Sequence, residues 1–176
     1  FMIELVVLDV DGTLTDGKIT YSNSGEETKS FDVADGLAIA VWTKQFGKKA
    51  AIITGRNSSV VEKRAKELNI TYLHQGIKNK QEVLEEILKK EGLSWSQVAA
   101  IGDDLNDYNM LKKVGLSFTP ANGSHYLKDF VNVVCQNKGG EGAVREMLEY
   151  IFKEENLEED FLNAWIWEFS PQFFYY

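Results

Sequence analysis

Cysteine is nearly absent from this 176-residue chain: Cys135 stands alone, so no intrachain disulfide can form and the fold must rest on its core. That usage fits a reducing compartment. Histidine is almost as scarce, and His74 and His125 are too few and too far apart in sequence to suggest a zinc site. No apolar run approaches the roughly 20 residues that cross a bilayer. The apolar opening, Ile3 to Leu8, meets Asp9 at once and has no basic leader, so it does not read as a secretory signal. Basic residues are in deficit, 19 Lys and Arg against 27 Asp and Glu, for a formal charge of −8. Binding along a nucleic-acid backbone needs a concentrated basic face, which this balance argues against. A small phosphorylated substrate stays open, because a few local cations or a metal override the global field. The expectation is a soluble, cytoplasmic, acidic protein without nucleic-acid or membrane partners.

What is present is ordinary for a globular domain: 44% hydrophobic and 26% charged residues. A chain of this length buries about 70% of its unfolded surface and needs no staples. Ile3 to Leu8 is a mostly unbroken apolar run, as in a strand covered on both faces of a parallel sheet. Lys18–Ser22 and Glu27–Phe31 flank the turn-forming Asn23-Ser24-Gly25 and predict a hairpin. A helix is expected over Gly36–Phe46, then strands over Ala50–Ile53, Ile70–Leu73, Val98–Ile101, Leu116–Phe118 and Val131–Val134. Helices are expected after Asn57 or Ser58, from Lys80 to a stop at Gly92, over Asn106–Val114, after Ser124, and over Ala143–Phe152. Alternation of this kind implies an α/β fold: a doubly wound, mostly parallel sheet with helices on both faces and a small β-hairpin insertion after the first strand. Only 41 residues separate Gly12 from Thr54 and 25 separate Thr54 from Lys80, so neither interval holds a separate cap domain. The domain is placed at 1–153, with an acidic then aromatic tail over 154–176. Phe161, Trp165, Trp167, Phe173, Phe174, Tyr175 and Tyr176 crowd that tail. It packs on its own domain, is vector-derived, or meets another subunit.

Three predicted strands end in residues foreign to strand chemistry: Asp9 and Asp11, then Thr54, then Gly102-Asp103-Asp104. In an open α/β sheet ligands sit outside the carboxyl ends of the strands, so these clusters converge on one edge if the strands are parallel. Crowded carboxylates repel unless a cation neutralises them, and a hard, oxygen-ligated ion such as Mg²⁺ is the natural solution. Thr54 adds a hydroxyl, and Lys80 adds a point charge suited to phosphate. These are the parts that hold a phosphoryl group during in-line transfer. Asp9 can then act as nucleophile and Asp11, two residues on, as general acid and base.

Asp9-Val10-Asp11-Gly12-Thr13, Thr54-Gly55-Arg56, Lys80 and Gly102-Asp103-Asp104-Leu105-Asn106-Asp107 resemble, in order and placement, the four motifs of the haloacid dehalogenase superfamily. The resemblance implies Asp9, Asp11, Thr54 and Lys80 as catalytic groups. It also implies Mg²⁺ on Asp9, the Asp11 main-chain carbonyl and Asp103, with Asp104 and Asp107 orienting water ligands and Lys80. Asp32 to Gly36, Glu62-Lys63-Arg64, Gln75-Gly76, Asn79-Lys80 and Lys138 to Glu146 are similar to the capless 3-deoxy-D-manno-octulosonate 8-phosphate phosphatase family. That likeness places substrate contacts on Asp11, Asp32, Val33, Ala34, Asp35, Gly36, Arg56, Arg64 and Lys80. It departs at Ala40, where those phosphatases often carry arginine. It further implies a homotetramer with the hairpin packed between subunits, a role in lipopolysaccharide precursor synthesis, and a glycine-rich turn after Lys138 that can swing over a neighbouring site. The alternatives are a phosphatase for a nine-carbon sialic-type acid phosphate or broad sugar phosphates, a receiver-like signalling domain, and a binding module without catalysis. A receiver domain needs its acceptor aspartate where this chain has Thr54.

Overall fold

The computed structural model describes residues 2–166 and is built on a six-stranded parallel sheet in the order β5-β4-β1-β6-β7-β8. Its strands are β1 (Leu5–Leu8), β4 (Lys49–Ile53), β5 (Tyr72–His74), β6 (Val98–Ile101), β7 (Leu116–Thr119) and β8 (Val133–Val134). The continuous apolar run at β1 is explained by its central place, since Leu5 to Leu8 are all buried between β4 and β6. Alternate residues face opposite layers. Val6 and Leu8 join Ile52 and Ile101 under α1 (Val33–Ala40), α2 (Ser59–Glu67) and α6 (Ala143–Glu154). Leu5 and Val7 join Ile53 and Ala100 under α3 (Lys80–Glu91), α4 (Tyr108–Lys113) and α5 (His125–Lys128). The sheet is therefore doubly wound, as expected.

The chain leaves β1, builds β4 and β5 to one side, and returns to place β6 on the other. The direction of winding reverses at β1, and the crevice outside the carboxyl ends of β1, β4 and β6 is where such a sheet binds ligands. The only sizeable insertion between β1 and β4 is an antiparallel hairpin, β2 (Thr20–Tyr21) with β3 (Glu27–Thr28), closed by Gly25 at φ +86°.

Several elements differ from expectation. The hairpin strands are two residues each instead of five. α1 begins at Val33, three residues early, because the Asp32 side chain caps it by accepting from the Ala34 N–H at 2.7 Å; beyond Ala40 it widens into a π turn over Val41–Gln45. The helix expected from Asn106 opens as a 3₁₀ turn, Leu105–Asp107, before α4. β5 runs from Tyr72 to His74 instead of Ile70 to Leu73, and β8 has only Val133 and Val134. α6 continues to Glu154, and α7 (Glu158–Asn163) follows where an acidic tail was expected. Phe161 of α7 is buried, its ring 4.9 Å from that of Phe152, so this part of the aromatic segment packs on the domain. Trp165 is half exposed; Trp167, Phe173, Phe174, Tyr175 and Tyr176 lie outside the described residues. Among the described residues no helix is long and apolar enough to cross a membrane.

Candidate active site

The three polar strand ends meet. Asp9, Asp11, Thr54, Gly55, Arg56, Asp103, Asp104 and Asn106, with Gly17, line one cleft of about 290 Å³ at the carboxyl edge of the sheet. Asp9 directly follows β1, Thr54 directly follows β4 and Asp103 comes one glycine after β6, so adjacent strands aim the residues just past their ends into one place. Thr54 is held by its backbone: its N–H donates to the His74 carbonyl at 2.9 Å, and its carbonyl accepts from Ile77 N–H at 3.1 Å.

Lys80 enters from below the cleft, at the start of α3, which Asn79 caps by accepting from the Glu82 N–H at 3.2 Å. Its side chain is fully buried, and its Nζ donates to Asp9 Oδ1 at 2.8 Å and to Asp107 Oδ1 at 2.7 Å. Burial works to lower the lysine pKa, but the two carboxylates outweigh it and hold it above the usual range. The acids shift the other way. Burial pushes Asp9 up to about 7, with Lys80 opposing and Asp103 adding to the rise. Asp107 also rises to about 7, through burial and the Asp9 charge. Burial raises Asp103 as well.

Asp9, Asp103 and Asp107 bring carboxylate oxygens within 4.8 Å of one another. The oxygens of Asp107 are already engaged: Oδ1 takes Lys80, and Oδ2 accepts the N–H groups of Asp103 at 3.0 Å and Asp104 at 3.3 Å. Asp107 thus ties the β6 loop to the lysine, and Asp9 and Asp103 remain as the carboxylates open to a cation. Desolvated acids clustered around one lysine suit a hard divalent ion, and the all-oxygen donor set fits Mg²⁺. Asp104 lines the cleft while its side chain caps Leu105 N–H at 2.8 Å. The Asp11 carboxylate lies outside the cluster. It pairs with Lys29 at 2.5 Å and is not one of the three clustered acids.

Glycines make room for these acids. Gly12 sits at φ +87°, and a Cβ there would lie 2.0 Å from Asp103 Oδ2; at Gly102 it would lie 2.2 Å from Asp107 Cγ. Gly12→Ala is therefore expected to displace Asp103 and to weaken the apparent Mg²⁺ affinity by about 10–100-fold. Its melting temperature should drop by a few degrees from the strained φ. A Mg²⁺ titration of turnover, with a thermal melt alongside, checks both. In the turn after Lys138, Gly139 and Gly140 pack on the first loop, where a Cβ would meet Gly12 O at 2.0 Å and Asp16 N at 2.6 Å. Asn122 clasps both sides, donating to Gly12 O at 3.0 Å and accepting from Gly139 N–H at 2.7 Å.

The expected substrate contacts divide. Arg56 lines the cleft, held by Glu27 at 3.0 Å and by the Tyr21 hydroxyl at 3.2 Å. Asp32, Val33, Ala34, Asp35 and Gly36 gather instead with Arg64 and the first turn of α6. Arg64 reaches the Asp32 carbonyl at 3.4 Å, Gly36 leaves room for its guanidinium, and buried Asp35 accepts the Arg145 N–H at 2.8 Å. Burial pushes Asp35 up to about 7. None of these six lines the aspartate cleft. Lys29, Glu27, Asn122 and Arg145 are structural partners that sequence reasoning missed. For Lys29 the available signal was its spacing of two from Glu27 within the segment expected to form a strand.

An open parallel sheet with two aspartates after its first strand, a threonine after the next, and a buried lysine answered by aspartates is the arrangement of a phosphoryl-transfer hydrolase. Residues 73–148 match the family model of the haloacid dehalogenase-like hydrolases. The 3-deoxy-D-manno-octulosonate 8-phosphate phosphatase of Escherichia coli K12 is 42% identical over 150 residues, 85% of this chain and 79% of that one. The Moraxella catarrhalis phosphatase of that name, solved with magnesium, phosphate and KDO, superposes with a TM-score of 0.89 at 41% identity, covering 92% of each chain. The cobalt-bound enzyme from Haemophilus influenzae gives 0.84 at 35% identity, covering 89% of this chain and 91% of that one. The chain belongs to the 3-deoxy-D-manno-octulosonate 8-phosphate phosphatase family of haloacid dehalogenase-like hydrolases.

Proposed function

We propose that the chain hydrolyses 3-deoxy-D-manno-octulosonate 8-phosphate to the free sugar acid and phosphate, a step in lipopolysaccharide precursor synthesis. The observation that carries this is the buried Asp9–Lys80–Asp107 contact beside Asp103, at the sheet edge that Thr54 and Asp11 also line. Its relatives' names supply the substrate.

Asp9 is the nucleophile. Lys80 fixes its Oδ1, which leaves the other oxygen to form a bond to phosphorus as the bond from phosphorus to the sugar oxygen breaks. Asp11 gives the departing alkoxide its proton. It then takes a proton from water, which attacks the phosphorus of aspartyl-phosphate, releases phosphate and restores the Asp9 carboxylate. Thr54 and Lys80 hold phosphoryl oxygens. Asp9, Asp103 and the Asp11 carbonyl would hold Mg²⁺, which would supply charge neutralisation at the phosphoryl group. Asp107 and Asp104 position Lys80 and the β6 loop.

Arg56, exposed at the cleft two residues after Thr54, suits the sugar-acid carboxylate. Asp32–Gly36 and Arg64 lie outside that cleft, so their assignment as substrate contacts rests on the family likeness and not on this site. The catalytic unit is 1–153, followed by 154–176. A cytoplasmic homotetramer, with the hairpin between subunits, completes the reading; its support is an isolated two-stranded hairpin, which is marginal by itself, and the exposure of Tyr21 and Val33.

Phosphate release from a panel of phosphorylated sugars and sugar acids with Mg²⁺ tests the substrate. The expected kcat/KM for 3-deoxy-D-manno-octulosonate 8-phosphate exceeds that for neutral sugar phosphates by about 100-fold, the scale of a carboxylate contact that is made or missed. Similar rates across the panel would keep the chemistry and remove the substrate. A preference for a nine-carbon acid would shift the assignment to that relative. No release from any member would remove the phosphatase reading.

A further inference from the structure

Lys29 follows the second strand of the hairpin, and its side chain is only 1% exposed although the hairpin itself is a surface element. Its Nζ sits between two carboxylates, Asp11 Oδ1 at 2.5 Å and Glu27 Oε1 at 3.2 Å. The same Glu27 oxygen accepts from Arg56 at 3.0 Å, so the lysine is itself held on a partner anchored to the cleft. Glu27 opens β3 and Lys29 follows its last residue, and both side chains turn toward Asp11 and Arg56. A buried lysine without partners is expensive; one paired with two carboxylates fixes the groups around it.

Lys29 stands to Asp11 as Lys80 stands to Asp9. Each lysine takes Oδ1 of one aspartate and leaves the second oxygen for chemistry. An aspartate on a turn has a rotatable side chain, and a general acid misplaced by about 1 Å loses much of its effect. We propose that Lys29 is a positioning residue that holds the Asp11 carboxyl group in line with the leaving oxygen, and that Glu27 keeps Lys29 in place. The hairpin then contributes to the chemistry of its own subunit. This inference rests on the phosphatase reading of Asp11.

The discriminating observable is the dependence on the leaving group. An aliphatic sugar alkoxide needs a proton as it departs; 4-nitrophenolate does not. kcat/KM reports the steps through formation of aspartyl-phosphate, so the comparison isolates the acid role of Asp11. Lys29→Met should lower kcat/KM for a sugar phosphate by about 30–100-fold and for 4-nitrophenyl phosphate by less than about fivefold. Lys29→Arg should recover most of the loss. Glu27→Gln, which loosens the lysine without removing it, should show the same selectivity at smaller size, and it carries the test if Lys29→Met does not fold. Asp11→Asn is the control and should show the selectivity at full strength. Equal losses on both substrates for Lys29→Met, or no loss on either, would overturn the positioning role while Asp11→Asn remained selective. An Asp11→Asn protein without selectivity would overturn the acid assignment of Asp11, and the role of Lys29 with it.

Discussion

Asp9→Asn releases phosphate on the order of 10⁵-fold more slowly than the wild type and melts no lower. The first half follows from the chemistry: an amide oxygen cannot displace an alkoxide from phosphorus, and removing the nucleophile of a covalent mechanism forfeits most of the acceleration, about 7 kcal/mol at the transition state. The second half follows from the electrostatics. Asp9 is buried beside Asp103 and Asp107, and burial already pushes its carboxyl up to about 7. An isosteric amide removes one charge from that cluster, still offers an oxygen to Lys80, and leaves Asp107 as the lysine's ionic partner. Phosphate release and a thermal melt on the same preparation check both halves. Turnover within about tenfold of wild type would remove Asp9 as nucleophile. A large fall in melting temperature would mean that Asp9 serves the fold more than the reaction.

The sheet and its functional edge are legible in the sequence for the same reason. A central parallel strand is buried on both faces, so Leu5 to Leu8 is apolar without alternation, and the first polar residue after it marks the edge. Asp9, Thr54 and Asp103 each mark such an end, and their meeting in one cleft needs only that the strands be parallel. Less was readable where a contact joins distant segments. Lys29 beside acidic neighbours reads as a solvated strand lysine, and nothing local shows that Asp11, 18 positions earlier, closes on it. The start of α1 is obscured because Asp35 and Gly36 interrupt the apolar spacing. Their reasons are tertiary: Asp35 accepts from Arg145 at the start of α6, and Gly36 yields space to Arg64. α7 is hidden by the acidic run from Glu154 to Asp160, although Leu157 and Phe161 stand four apart, as one helical face requires. At Gly139-Gly140 the reason for glycine is equally tertiary: one backbone approaches another too closely for a side chain.

Lys80→Met should both silence the enzyme and unsettle the fold, and the second effect should depend on pH. Among the described residues Lys80 is the one cation that Asp9 and Asp107 share within hydrogen-bonding distance. Methionine matches its length and volume, so packing is nearly preserved and the change is mainly one of charge. Breaking a buried ion pair on one side typically costs about 3–5 kcal/mol, because the abandoned carboxylates remain desolvated. The size of that cost follows their ionisation. Both acids have folded pKa values near 7, above the ordinary 3.8, so the folded protein retains protons there that the unfolded chain releases between about 4 and 7. Their burial therefore weakens the fold as pH rises through that window, with Lys80 limiting the loss. Without the lysine their ionisation becomes still harder. Near pH 5 both acids are protonated, need no counter-charge, and the variant should melt within a few degrees of wild type. Above pH 7 the gap should widen to roughly 10 °C, by the usual conversion for a chain of this size. Thermal melts in EDTA from pH 5 to 8.5 measure the gap directly. Added Mg²⁺ should narrow it by neutralising Asp9, while turnover stays at least about 100-fold down because the phosphoryl oxygens have lost their ammonium partner. A gap independent of pH would assign Lys80's contribution to packing and not to the two aspartates.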